Sequence, residues 1–119
     1  MKLRIQGNSI RFRLKENEVD LFNKVGQLAD TIMFGPQQQL AFRLIKSNQV
    51  SELSAEFDAK GIHVYVPDQL VSTWALTELV GMENMQELHE NQQLKILIEK
   101  DFPCKHTPEE KQAFNQPKI

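Results

Sequence analysis

Cysteine is nearly absent from this chain: Cys104 is the single thiol among 119 residues. One thiol cannot close an internal disulfide, so the fold must be held by packing, and this usage agrees with a reducing compartment. Long hydrophobic runs are missing as well. The opening MKLRIQGNS alternates charged and apolar residues where a signal peptide needs a continuous apolar block, and no window approaches a membrane span. These absences set two expectations, a cytoplasmic location and no membrane partner. No glycine-rich phosphate loop, HExxH metal helix or nucleophile elbow occurs. Enzymatic activity therefore has no motif in its favour, and no cofactor is expected.

Runs of consecutive basic residues are also missing, yet charge is unevenly spread. Residues 1–52 hold eight Lys and Arg against five Asp and Glu, and residues 53–119 hold six against eleven, which together make the net charge of −2. The cationic first half is suited to face an anion, or its charges are scattered over a small solvated surface.

What the chain does have is alternation. With 40% hydrophobic and 25% charged residues it has a globular composition, and its length suffices for one core. Residues 2–6 and 9–14 alternate around Gly7-Asn8, with Leu3, Ile5, Ile10, Phe12 and Leu14 on one side, as a hairpin requires. Asn17 with Asp20 three positions on predicts a helix start, Val19 and Phe22 give that helix an apolar stripe, and Gly26 ends it. Strands follow over residues 28–34 and 40–46. A second hairpin spans residues 53–57 and 62–66, and Pro67 stops its strand while suiting a helix's first turn, whose apolar face is Leu70, Val71 and Trp74. Two more strands are predicted over residues 79–88 and 93–100.

Strand, strand, helix, strand, strand therefore occurs twice. A shift of 52 positions places Ile10 on Ile62, Phe12 on Val64, Leu14 on Val66, Val19 on Val71 and Phe22 on Trp74, and extends to Phe42 on Leu94 and Leu44 on Ile96. Residues 25–38 against 77–90 need gaps. The expected fold is α+β: two ββαββ halves, about 1–49 and 50–106, forming one pseudo-symmetric, barrel-like antiparallel sheet with two short helices. Residues 107–119 are expected to be a tail with a helical turn opened by Thr107-Pro-Glu-Glu110.

The stretch Val64-Tyr-Val-Pro-Asp-Gln-Leu70, followed by a helix and two strands, resembles the AbrB-type swapped-hairpin unit of transition-state regulators and antitoxins. The resemblance covers roughly residues 2–100. It implies two fused half-units closing one small barrel, and nucleic acid as a partner. The chain departs from that pattern at Ile62-His63, where the family has glycine-arginine, and at Lys15, which replaces the first half's proline. Gly7–Leu14 with Ile98–Cys104 also resembles a group of small bacterial proteins of no assigned activity.

Two constellations are candidates for chemistry. Alternation puts Arg4, Arg11 and Arg13 on the outer face of the first hairpin, with Arg11 at the position of the AbrB-type arginine; there they would hold phosphates, or pair with carboxylates across the sheet. Asp101, Cys104 and His106 combine three metal-ligand types, although a closed zinc site takes four ligands and Cys-x-His matches no specific zinc spacing. Cys104 with His106 as nucleophile and base lacks an identifiable orienting group. Tyr65 and His63 are expected on the second hairpin's outer face and Trp74 in the core. The function expected is non-enzymatic binding or regulation, through an anionic partner such as nucleic acid or through another protein, by a monomer or homodimer.

Overall fold

The alternating segments do form strands. The structure, a computed structural model, describes residues 1–103. In chain order its elements are β1 (Lys2–Ile5), β2 (Ser9–Leu14), α1 (Glu16–Val25), β3 (Gln27–Gly35), β4 (Gln38–Ser47), β5 (Ser54–Asp58), β6 (Gly61–Pro67), α2 (Asp68–Leu76), β7 (Gly81–Glu87) and β8 (Gln93–Lys100). The halves are two ββαββ units in an α+β fold. The expected tail helix, Cys104 and His106 lie outside the described residues.

Each sheet takes one hairpin from each half. One runs β1-β2-β8-β7 and the other β3-β4-β6-β5. Within each hairpin the strands are antiparallel, but at the centre, where the halves meet, β2 runs parallel to β8 and β4 parallel to β6. A tight turn cannot join parallel neighbours, so each central pair needs strands far apart in the chain. The hairpins of the two halves are therefore interleaved.

Alternation then fills the space between the sheets. Phe12, Leu14, Phe42, Leu44, Val64, Val66, Ile96 and Ile98 are buried there, with Val19 and Phe22 of α1 and Val71 and Trp74 of α2. The Phe12 and Phe42 rings, one from each sheet, meet at 6.2 Å and a tilt of 49°. Fully burying side chains of this kind contributes about 1.5–3 kcal/mol each. Trp74 also satisfies its Nε1–H, which donates to the Val80 carbonyl at 2.9 Å.

The repeat is better than a constant shift of 52 allows. That offset holds for the first hairpins, since Ile5 faces Ile10 as Phe57 faces Ile62. It fails for the second hairpins. Ile10 pairs with Ile96 and Ile62 with Phe42, so Phe42 corresponds to Ile96 and Leu44 to Ile98, an offset of 54. The extra two residues arise between the helix and the next strand: α2 is one residue shorter than α1, and the chain takes the four residues Thr77 to Val80 to make a connection that Gly26 alone makes in the first half. A slip of two leaves every side chain on its original face, which is why the alternation concealed it.

The corrected offset exposes a matched pair of lysines. Lys46 Nζ donates to the Asn23 carbonyl at 3.0 Å, and Lys100 Nζ to the Thr77 carbonyl at 2.8 Å. Each ammonium thus neutralises the carbonyl-rich end of one helix. The α1 start differs from expectation: Lys15, not Asn17, is the N-cap, because Glu18 reaches back to accept from the Lys15 N–H at 2.8 Å. Burial tends to raise the Glu18 carboxyl, but hydrogen bonds from the Met1 ammonium and the Lys15 N–H outweigh it and hold it below its ordinary 4.5.

Gly61 marks the tightest point. It has φ +125°, and a Cβ there would stand 2.1 Å from the Ala41 carbonyl oxygen of the neighbouring parallel strand. Gly7, at φ +57°, has open space around it. Gly61→Ala should therefore destabilise the protein by about 3 kcal/mol or more, and Gly7→Ala by only about 1 kcal/mol. Urea unfolding midpoints of the two variants check this.

Candidate anion-binding face

The outer face of the first sheet is set by the same alternation that fills the core. With Leu3, Phe12 and Ile96 turned inward, Lys2 and Arg4 of β1, Ser9, Arg11 and Arg13 of β2, and Lys95 and Glu99 of β8 share the other side. The register puts Arg4 directly across from Arg11, Lys2 across from Arg13, and Ser9 beside Lys95. Asn8 ties the turn down, its Nδ2 donating to the Gln93 carbonyl at 2.6 Å and its carbonyl accepting from the Lys95 N–H at 3.1 Å.

The three predicted arginines divide into two kinds. Arg13 Nη2 lies 3.1 Å from Asp101, which also takes Lys2 Nζ at 3.0 Å, and Arg11 Nε lies 3.4 Å from Glu99. Arg13 Nε is buried with no hydrogen-bond partner among the described residues. Arg4 and Lys95 make no ion pair among the described residues. Together with Gln6, Ser9, Arg11 and Leu97 they line a shallow recess of about 320 Å³. Lys95 belongs to the cluster although the sequence reading did not single it out. Its parity on β8 signalled an outward side chain, but nothing local indicated that β8 lies beside β2.

On the second sheet the corresponding face has other chemistry. His63 takes the place of Arg11 and Glu56 that of Arg4, so the facing pair there is Glu56 and His63. His63 does point outward as expected, yet it is only 2% exposed because Arg43 and Asp58 cover it. Arg43 Nε donates to His63 Nδ1 at 3.1 Å, which leaves the ring proton on Nε2, 2.8 Å from Asp58 Oδ1. Tyr65 donates its hydroxyl to Glu56 at 3.0 Å, and that bond pushes the phenol above its ordinary 10.0.

The second constellation is only partly described. Asp101 is engaged by Lys2 and Arg13, and no group of three or more His, Cys, Asp or Glu among the described residues is arranged to hold a metal ion. Cys104 and His106 lie outside the described residues. Among those residues no helix is long and apolar enough to cross a membrane.

The hydrogen bond from His63 holds Asp58 below its ordinary 3.8, helped by the Lys60 N–H. A depressed carboxyl stabilises the fold at pH above its unfolded value and loses that contribution as pH falls through the folded one. Of the charged neighbours, Arg43 and Glu56 flank the pair. Stability should decline below about pH 4 as this carboxyl protonates, and Asp58→Asn should make the decline shallower. Thermal melts from pH 7 to pH 3 measure both slopes.

Comparison with known proteins places the chain in a family. A family model described as a family of unknown function, DUF7009, matches residues 1–118, and the chain belongs to that family. No curated protein and no solved structure matches it.

Proposed function

We propose that this family member is a non-enzymatic binding protein that holds an anionic partner against the outer face of its first sheet. Arg4, Arg11 and Lys95 are the contact residues, with the Ser9 hydroxyl as a neutral donor. Arg13 orients the sheet through Asp101 rather than meeting the partner. The resemblance of Val64–Leu70 to AbrB-type regulators makes nucleic acid one anion worth testing.

One observation carries this reading: Arg4 and Arg11 face each other across an antiparallel pair. Like charges so placed are destabilising, and opposite charges there are favourable. In the other half the matching positions hold Glu56 and His63, which are not a pair of like charges. Arg11 has Glu99 at 3.4 Å, but Arg4 beside it and Lys95 make no ion pair among the described residues, so a bound anion would relieve the repulsion that remains. A phosphate or carboxylate group in the recess would meet charge-assisted donors from two strands of the hairpin and from β8.

A labelled 20-base-pair duplex of mixed sequence and inorganic polyphosphate are suitable probes. Engagement of three cations should give a log–log salt slope of about −2 to −3 for the duplex. Arg4→Glu with Lys95→Glu should weaken both ligands at least tenfold, a change of about 1.4 kcal/mol, while leaving the unfolding midpoint close to wild type, since neither residue is in the core. Salt-independent binding, or affinity unchanged by the two substitutions, overturns the reading.

A further inference from the structure

The two-fold relation between the halves breaks where each first hairpin approaches the other sheet. On one side, β7 closes the outer edge of β5 with side chains. Gln86 Oε1 accepts from the Ala55 N–H at 2.6 Å, Gln86 Nε2 donates to the Ala55 carbonyl at 3.1 Å, and Asn84 Nδ2 donates to the Leu53 carbonyl at 2.8 Å. The glutamine amide stands in for a neighbouring strand. By the offsets established above, the matching residues on the other side are Leu3 for Ala55, Met1 for Leu53, Asp30 for Asn84 and Ile32 for Gln86.

Only half of that closure is reproduced. The Met1 ammonium lies 3.9 Å from Asp30 and bonds Glu18, but Ile32 has no polar group to offer Leu3. Gln6 N–H donates to the Ser9 carbonyl at 3.1 Å, so the alternation of an antiparallel ladder turns the N–H and C=O of Leu3 and Ile5 away from β2. No strand pairs with β1 on that side among the described residues. By the same correspondence Ile32 is the residue facing Leu3, and Ile5 and Ile32 are 61% and 45% exposed. On the outer side of β1 stand Lys2 and Arg4.

We infer that the free edge of β1 takes an extended segment of a partner protein, added as a further strand, whose residues alternate apolar and acidic. Main-chain groups of Leu3 and Ile5 supply the hydrogen bonds of strand addition. The partner's apolar residues lie with Ile5 and Ile32, and its acidic residues stand across from Lys2 and Arg4. A second copy of β1 is the wrong occupant, because it would set these cations against themselves. The acidic preference rests on the cationic-face reading, whereas strand addition rests on the open edge.

Blocked, labelled octapeptides test it: alternating Val and Glu, alternating Val and Lys, and the Val/Glu composition arranged in two blocks. Anisotropy titration should show the alternating Val/Glu peptide binding at least tenfold tighter than either control. It should also slow hydrogen exchange at the Leu3 and Ile5 amides at least tenfold. Ile32→Gln, which supplies the amide that closes the opposite side, should weaken this peptide at least tenfold and leave duplex binding unchanged. Equal affinity for the alternating peptide and either control, or binding without protection of Leu3 and Ile5, overturns the inference. Loss of duplex and polyphosphate binding alone, with the peptide results intact, overturns only the function proposed above.

Discussion

The pairing of parallel strands at the centre of each sheet is the constraint on which the rest of the structure depends. β2 lies on β8 and β4 on β6, and neither pair can form within one half of the chain. Each half by itself is two hairpins joined by a helix, with inner faces that only the other half's hairpins extend into sheets. Once interleaved, the halves bury a continuous set of side chains, from Phe12 and Leu14 to Ile96 and Ile98, and both helices pack a face against it. Gly61 belongs to the same constraint, because a side chain there would collide with the parallel neighbour's main chain at Ala41.

Two similar halves within a single chain are free to differ from one another. What is retained is structural: the register of the first hairpins, the lysines at the helix ends, and the inward residues. What differs lies on the outer faces and at the edges. Arg4 and Arg11 stand where the second half has Glu56 and His63, and Ile32 stands where Gln86 closes the opposite edge. In a symmetric pair of identical chains such differences could not arise, since each face would occur twice. Both departures fall on or beside β1, so the proposed cationic face and the proposed strand-accepting edge adjoin one another.

Much of the fold was legible because burial repeats with the period of each element. Ile10, Phe12 and Leu14 alternate at period two, and Val19 with Phe22 marks the change to a helix, so element order and the two halves could be read directly. Parity also told that Arg4, Arg11 and Arg13 face outward. It could not tell which strands are neighbours. Lys95 was missed for that reason, as were the carboxylates of Glu99 and Asp101 that pair with Arg11 and Arg13. The two-residue slip between Phe42 and Ile96 was hidden because it keeps every side chain on its face. Ile5 was read as inward, which is correct for its direction, yet it is exposed because among the described residues no strand continues the sheet past β1.

The central claim is that the halves fold only by interleaving, and dividing the chain in the connection between β4 and β5 tests it most directly. Residues 1–49 and 50–119 prepared separately should each lack cooperative unfolding, and mixing them should restore a one-to-one complex with the circular dichroism and core amide protection of the intact protein. A cooperative melt from either fragment alone, with its own protected core, would contradict the account.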